Sequence, residues 1–146
     1  MIYHTKTGNC GAVCDEVGKK LKEKFEVKIS NVKEIKPDEI ASNPPDILIV
    51  GSRIVIGSPD KTIKGFVKKL GKALKQPIPK AATIYTHGMD WDDAFAKMSK
   101  ILKENGIATD VLDRPLEIKL EKTKGPFEPG QEPKIEEFVR KLSEFA

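Results

Sequence analysis

The run Ile47-Leu48-Ile49-Val50-Gly51 contains no polar side chain. A strand with one wet face alternates apolar and polar residues, so an unbroken apolar run of this length belongs to a parallel strand covered on both faces. Parallel neighbours are joined by crossovers, and those crossovers are normally helices. The sequence supplies one: Pro59 precedes Ile63, Phe66, Val67, Leu70 and Leu74 at helical spacing, and the mostly apolar run Ala81-Ala82-Thr83-Ile84-Tyr85-Thr86 follows. Pro fits the first turn of a helix, where its missing N–H is no loss. This strand–helix–strand unit fixes the class as α/β.

The rest of the chain keeps the alternation. Met1-Ile2-Tyr3 reads as a short first strand, and Ala12, Val13, Val17 and Leu21 recur as the inner stripe of a helix. A first strand of only three or four residues is short, as an incorrectly assigned start codon would make it. Phe25-Glu26-Val27-Lys28-Ile29 alternates, as an outer strand does. Residues 36–45 hold three prolines and form a connection, with a helical turn expected over 38–42. A helix opening at Asp90 or Trp91 turns Phe95, Met98, Ile101 and Leu102 inward and stops at Asn105-Gly106. Residues 111–120 form a last strand region broken at Arg114-Pro115, and Pro133 initiates a helix with Ile135, Phe138, Val139 and Leu142 inward. The expectation is one domain over residues 1–146: a three-layer α/β sandwich around a five-stranded parallel sheet.

Composition narrows the function. No apolar run approaches the roughly 18 residues of a membrane span, and the amino end lacks a charged segment followed by an apolar stretch and cleavage site. A cytoplasmic protein without membrane insertion is expected. The net charge of +4 raises the question of nucleic acid. Lys19, Lys20, Lys22 and Lys24, however, are interleaved with Glu16 and Glu23, and Lys68, Lys69, Lys72 and Lys75 lie along another helix. Aromatics make up only 6% and do not mix with the basic clusters, so the lysines read as solvated helix faces and no nucleic-acid partner is expected. Cys10 and Cys14 lie four apart on one helix, suiting neither a disulfide framework nor a four-ligand metal site. The two histidines, His4 and His87, have no third ligand at suitable spacing, so no metal is expected. His4 ends the first strand; His87 ends a central one, where it can meet a ligand.

An open parallel sheet binds ligands beyond the carboxyl ends of its central strands. Three loops lie there: residues 5–10, 52–58 and 86–91. In the first, Thr5-Lys6-Thr7-Gly8-Asn9-Cys10 follows a strand and opens a helix, so backbone N–H groups and the positive end of the helix dipole converge on one point and favour an anion. Thr5 and Thr7 add hydroxyl donors, Gly8 permits close approach, and Asn9 tolerates the dihedrals of such a turn. The loop is neither a Walker loop nor a Gly-x-Gly-x-x-Gly dinucleotide loop. Cys10 at a helix start is a candidate low-pKa thiol, although a bound phosphate would cover it.

Strand, Thr-x-Thr-Gly-Asn, helix resembles the phosphate loop of the flavodoxins, usually Ser/Thr-x-Thr-Gly-x-Thr. Residues 46–70 are similar to that family's third strand, flavin-contacting loop and following helix, with Gly51-Ser52, a hydrophobic pair, Gly57 and a proline. Residues 83–91 look like its fourth strand and second flavin loop. Lys124-Gly125-Pro126-Phe127, with Gly130 and Pro133, resembles the segment before its last helix. The resemblance implies strand order 2-1-3-4-5 and flavin mononucleotide (FMN) as cofactor. It implies that Thr5, Lys6, Thr7, Gly8, Asn9 and the backbone of Cys10 take the phosphate. Ser52, Arg53, Ile54, Val55, Ile56 and Gly57 would flank the ring on one side and Thr86, His87, Gly88 and Trp91 on the other. Gly57 would be the pivot whose carbonyl turns toward the flavin N5 in the one-electron-reduced state.

The sequence departs from the pattern at two of these positions. Cys10 replaces a phosphate-binding Thr, and losing a hydrogen bond to a charged group, worth about 1.5–3 kcal/mol, weakens FMN binding about tenfold or more. Arg53-Ile54-Val55-Ile56 lacks the stacking aromatic, leaving Trp91 as the candidate. The resemblance thus implies a low-potential electron carrier working between redox partner proteins as a monomer or weak dimer. Two alternatives stand beside it: an FMN-dependent quinone or NAD(P)H reductase, and a module that kept the fold and lost the flavin. The basic charge would direct a carrier to acidic partners.

Overall fold

The computed structural model describes residues 1–89, 93–122 and 125–146. Its centre is the strand anticipated from the apolar run, β3 (Ile47–Val55), paired in parallel with β5 (Ile78–His87) from Ile47↔Lys80 to Arg53↔Thr86. On the other edge of β3 lies β1 (Ile2–Tyr3), and beyond it β2 (Ser30–Asn31), both parallel. Helix α1 (Asn9–Leu21) follows β1, a short α2 (Pro37–Ser42) follows β2, and β4 (Ser58–Pro59) turns back on β3 before α3 (Lys61–Ala73). After β5 come α4 (Ala94–Glu104), β6 (Ala108–Val111), β7 (Leu116–Lys119) and α5 (Glu132–Phe145).

The strand order is β2-β1-β3-β5, with the outer edge of β5 shared in succession by β6 and β7. The interruption at Arg114-Pro115 falls between them, since proline has no N–H to continue a ladder. Counting β6 and β7 as one broken fifth strand gives the expected order 2-1-3-4-5, with β5 in fourth place.

Each face of the sheet carries its own core. Phe66, Val67, Leu70, Met98 and Leu102 from α3 and α4 pack on Leu48, Val50 and Tyr85. On the opposite face Val13, Val17, Phe138 and Leu142 from α1 and α5 pack on Ile49, Ala82 and Ile84. Burying one such side chain contributes roughly 1.5–3 kcal/mol, so these two stripes hold the layers together.

Local departures have local causes. The second strand occupies Ser30–Asn31 rather than residues 25–29, because in the observed register Ile2 pairs with Ser30 and earlier residues lie opposite positions ahead of β1. Ala12 is exposed, and Cys10, Cys14 and Gly18 complete the inner face of α1 with Val13 and Val17. The helix expected to open at Asp90 or Trp91 is described from Ala94, and those two residues lie outside the described segments. Residues 52–55, assigned above to a loop, extend β3 and form a hairpin with β4, pairing Ile54 with Pro59 and Val55 with Ser58. Among the described residues, no helix is long and apolar enough to cross a membrane.

Candidate functional site

The carboxyl ends of β1, β3 and β5 bring all three loops to one end of the sheet. At the first, Gly8 has φ 88°, a left-handed conformation that suits glycine, and a side chain added there would meet nothing within 4 Å. The Gly8 amide donates to Thr5 Oγ1 at 2.9 Å, and Asn9 Nδ2 donates to Thr7 Oγ1 at 3.0 Å. Both threonine oxygens therefore act as acceptors inside the loop and keep their O–H groups to donate. Among the described residues no side chain caps the first turn of α1, and that turn contains no acidic residue. Gly125 closes on the loop from the segment ahead of α5: a Cβ there would lie 3.1 Å from Asn9 Oδ1.

Cys10 occupies this loop differently from the threonine of the family pattern. It is 1% exposed, its sulfur turned inward beneath β3. A Cβ added to Gly51 would stand 3.2 Å from Cys10 Sγ and 2.6 Å from Cys14 Sγ. A hydrogen bond with Cys14 pushes the Cys10 thiol well above its ordinary pKa, aided by burial and by the charges of Cys14 and Asp60. Of Cys10, only the backbone is available to an anion, and the low-pKa thiol anticipated at a helix start is not what the fold creates.

The second loop is narrower than expected. Ser52 is fully buried: its hydroxyl donates to Arg53 O at 2.8 Å and accepts from the Asp60 amide at 3.0 Å. The hairpin tip is Ile56-Gly57, with φ of 48° and 72°, and Ile56 is 88% exposed. Two successive positive φ values are the pattern of a type I′ turn, in which a β-branched residue is strained. Lys97 Nζ, on α4, donates to Gly57 O at 2.6 Å.

Beneath the hairpin lies a charged cluster absent from the sequence-based expectation. Asp60 caps α3 by accepting from the Thr62 amide at 2.7 Å, and its other oxygen accepts from Arg53 Nε at 2.9 Å. His4 Nδ1 stands 3.1 Å from Asp60 Oδ1, a charge contact without hydrogen-bond geometry. Burial works to raise the Asp60 pKa. The Thr62 amide, the Arg53 hydrogen bond and the His4 and Arg53 charges outweigh it and hold the carboxyl below its ordinary value. The only sequence signal was Asp60 just ahead of an apolar helical stripe, the usual mark of an N-cap.

In the third loop, Thr86 and His87 are buried and Gly88 is exposed. The His87 ring sits edge-on to Phe95 at 5.0 Å, and its Nδ1 lies 2.8 Å from Met89 O. Bonding to a carbonyl makes Nδ1 the protonated nitrogen, leaving Nε2 as a buried acceptor without a partner among the described residues. Trp91, the stacking candidate, lies outside the described residues. The loops thus bring together the Thr5–Asn9 turn, the Ile56-Gly57 tip and the His87-Gly88 corner, while Ser52 and the Cys10 sulfur point into the protein.

A parallel sheet with helices on both faces and a glycine turn leading from its first strand into a helix is a doubly wound α/β architecture. The sequence profile of the flavodoxin domain matches residues 1–111, so the chain belongs to the flavodoxin family. Solved structures agree on the fold. The chain is similar to a flavodoxin from the domain Archaea, with 20% identity and TM-score 0.74 over 95% of this chain and 89% of that one. It is similar to oxidised flavodoxin 2 from Bacillus cereus, with 18% identity and TM-score 0.78 over 99% and 97% of the two chains. For two-electron reduced Megasphaera elsdenii flavodoxin the values are 15% and 0.70 over 98% and 97%. No curated protein sequence matches the chain.

Proposed function

We propose that the protein binds FMN and serves as a low-potential electron carrier between redox partner proteins. The observation that carries this reading is the donor set at the head of α1. Thr5 and Thr7 keep free O–H groups, the amides of the first turn have no side-chain cap among the described residues, and Gly8 leaves open space before them. Donors held this way, at the positive end of a helix dipole, fit a phosphate dianion. Lys6, exposed in the same turn, adds a positive charge.

Residues of this chain would hold the cofactor as follows. Thr5, Thr7, Asn9 and the backbone through Cys10 take the phosphate. Arg53 to Gly57 and Thr86 to Gly88 border the ring, with Trp91 as its stacking partner. When bound, FMN would supply the one-electron chemistry. The exposed apolar residues Val55, Ile56 and Met89 lie in the two ring loops, a contact surface of the kind a carrier presents to its partners. The net charge of +4 directs that surface toward acidic partners.

The experiment is an FMN titration of the purified protein followed by flavin fluorescence, with Thr7→Val in parallel. The expected result is saturable one-to-one uptake that the variant weakens about tenfold, the value of one lost hydrogen bond to a charged group. Absence of uptake by the unaltered protein would overturn the assignment and leave the alternative of a fold that has lost its flavin. Steady reduction of a quinone with NAD(P)H by the loaded protein would replace the carrier with a reductase.

A further inference from the structure

The positive charge of the chain is gathered in one segment. Residues 61–89 contain seven lysines and no Asp or Glu, so a chain of net charge +4 carries −3 over all its other residues. Five of these lysines belong to α3. Steps of three or four put Lys61, Lys64, Lys68 and Lys72 on one face of that helix, with Lys75 just past its end. Ile63, Phe66, Val67 and Leu70 are buried on the opposite face. The four lysines span ~16 Å along the axis, with neighbouring Cβ atoms ~5–6 Å apart.

A solvated helix face ordinarily mixes signs, and elsewhere this chain does so. Lys20 of α1 pairs with Glu136 of α5 at 3.9 Å, Lys100 with Glu104 on α4 at 3.7 Å, and Arg140 with Glu144 on α5 at 2.8 Å. Among the described residues, no lysine of α3 has a carboxylate partner. Lys64 Nζ donates to Ser58 Oγ at 2.9 Å, in the hairpin ahead of the helix. Like charges three and four apart oppose a helix, a repulsion that an anionic surface laid against this face would remove. A side chain added to Gly65, within the same face, would meet nothing within 4 Å, so the lysine stems stand clear. The face has a border: α2, packed beside α3, exposes Asp38 and Glu39.

We propose that the lysine face of α3 is a docking surface for an acidic protein, one that presents carboxylates at helical spacing to Lys61, Lys64, Lys68 and Lys72. Nucleic acid fits this face less well. It has no arginine to take a phosphate with two bonds, and the helix's one aromatic, Phe66, is buried in the core and offers no base a stacking partner. Asp38 and Glu39 along one border would repel a polyanion, whereas a protein of mixed charge can complement both. Lys61 and Lys64 stand next to the β3–β4 hairpin, so a partner on this face reaches the loops proposed to border the flavin. The inference deepens the carrier reading by locating the partner, and the contact itself needs no flavin.

The probe is a fluorescein-labelled, alanine-based helical peptide with glutamates alternately three and four apart, titrated with flavin-free protein at low salt and followed by anisotropy. Two double variants reverse the same amount of charge: Lys68→Glu with Lys72→Glu on α3, and Lys19→Glu with Lys22→Glu at the end of α1. Binding is expected to weaken as salt rises, to fall about tenfold or more in the α3 variant, and to change less than about twofold in the α1 variant. Equal losses in the two variants would make the effect one of net charge and overturn the proposal. So would absence of peptide binding at low salt, or tighter binding of a short oligothymidylate of the same charge. FMN uptake measured on the same proteins separates a failure of this docking from a failure of the flavin reading.

Discussion

The ammonium of Lys97, on α4, donates to the carbonyl of Gly57 at 2.6 Å and ties the tip of the β3–β4 hairpin to the helix beyond the next loop. Forty positions of sequence separate the two residues. The bond holds the carbonyl of the residue that the family pattern marks as the pivot of the ring loop, so the orientation of that peptide depends on a side chain from another element.

Replacing Lys97 by Met keeps the aliphatic stem and removes the donor. The hairpin should loosen by about 1 kcal/mol, the ordinary net value of a hydrogen bond and less than the ~1.5–3 kcal/mol of one to a charged group, because the site is exposed. Hydrogen exchange of the amides in residues 55–59 should accelerate about fivefold, while exchange in β5 stays unchanged.

Ile56 is the other strained element of this tip. A β-branched residue at φ 48° costs roughly 1–2 kcal/mol, and its side chain, 88% exposed, gains little from burial. Ile56→Asn places a residue that tolerates this conformation in the first position of an Asn-Gly turn. Thermal denaturation should show a stabilisation of about 1 kcal/mol.

Asp60 gives stability a dependence on pH. Its pKa is lower folded than the ordinary 3.8, so the unfolded chain binds its proton first. The contribution is fully present above that ordinary value and is lost as pH falls through the lower folded value. Asp60→Asn retains a capping oxygen but loses the charge facing Arg53 and His4, at a cost of about 1–2 kcal/mol at neutral pH. Denaturant midpoints measured from pH 6 downward should show the gap between variant and parent closing below about pH 3.8.

Gly51 lets α1 approach the sheet. An added Cβ would meet Cys14 Sγ at 2.6 Å and the backbone-adjacent Tyr3 Cβ at 3.2 Å. Gly51→Ala should cost about 1–3 kcal/mol, the range for overpacking. Cys14→Ala removes the nearest atom, so the double variant should lose less than the sum of the two single changes. A double-mutant cycle read by denaturant unfolding measures that coupling.

The sequence alone determined the α/β layers. An apolar run at residues 47–51 calls for cover on both faces, the helical stripes that alternate with such runs supply it, and Thr-x-Thr-Gly-Asn between strand and helix makes a tight turn at a helix head. These signals are local: each is written within a dozen residues and needs no knowledge of a distant partner.

Tertiary structure decided which way side chains face and which distant groups meet. Residues 25–29 alternate as a strand should, yet a strand exists only where a partner backbone runs alongside, and the register gave that place to Ser30–Asn31. Cys10 reads as a ligand residue by position, but close approach of α1 to Gly51 turned its sulfur into the core. Hydrophobic period and turn chemistry are properties of neighbouring residues. The pairing of Lys97 with Gly57 and the gathering of His4, Arg53 and Asp60 are consequences of how three βα units stack, which no short stretch of the chain contains.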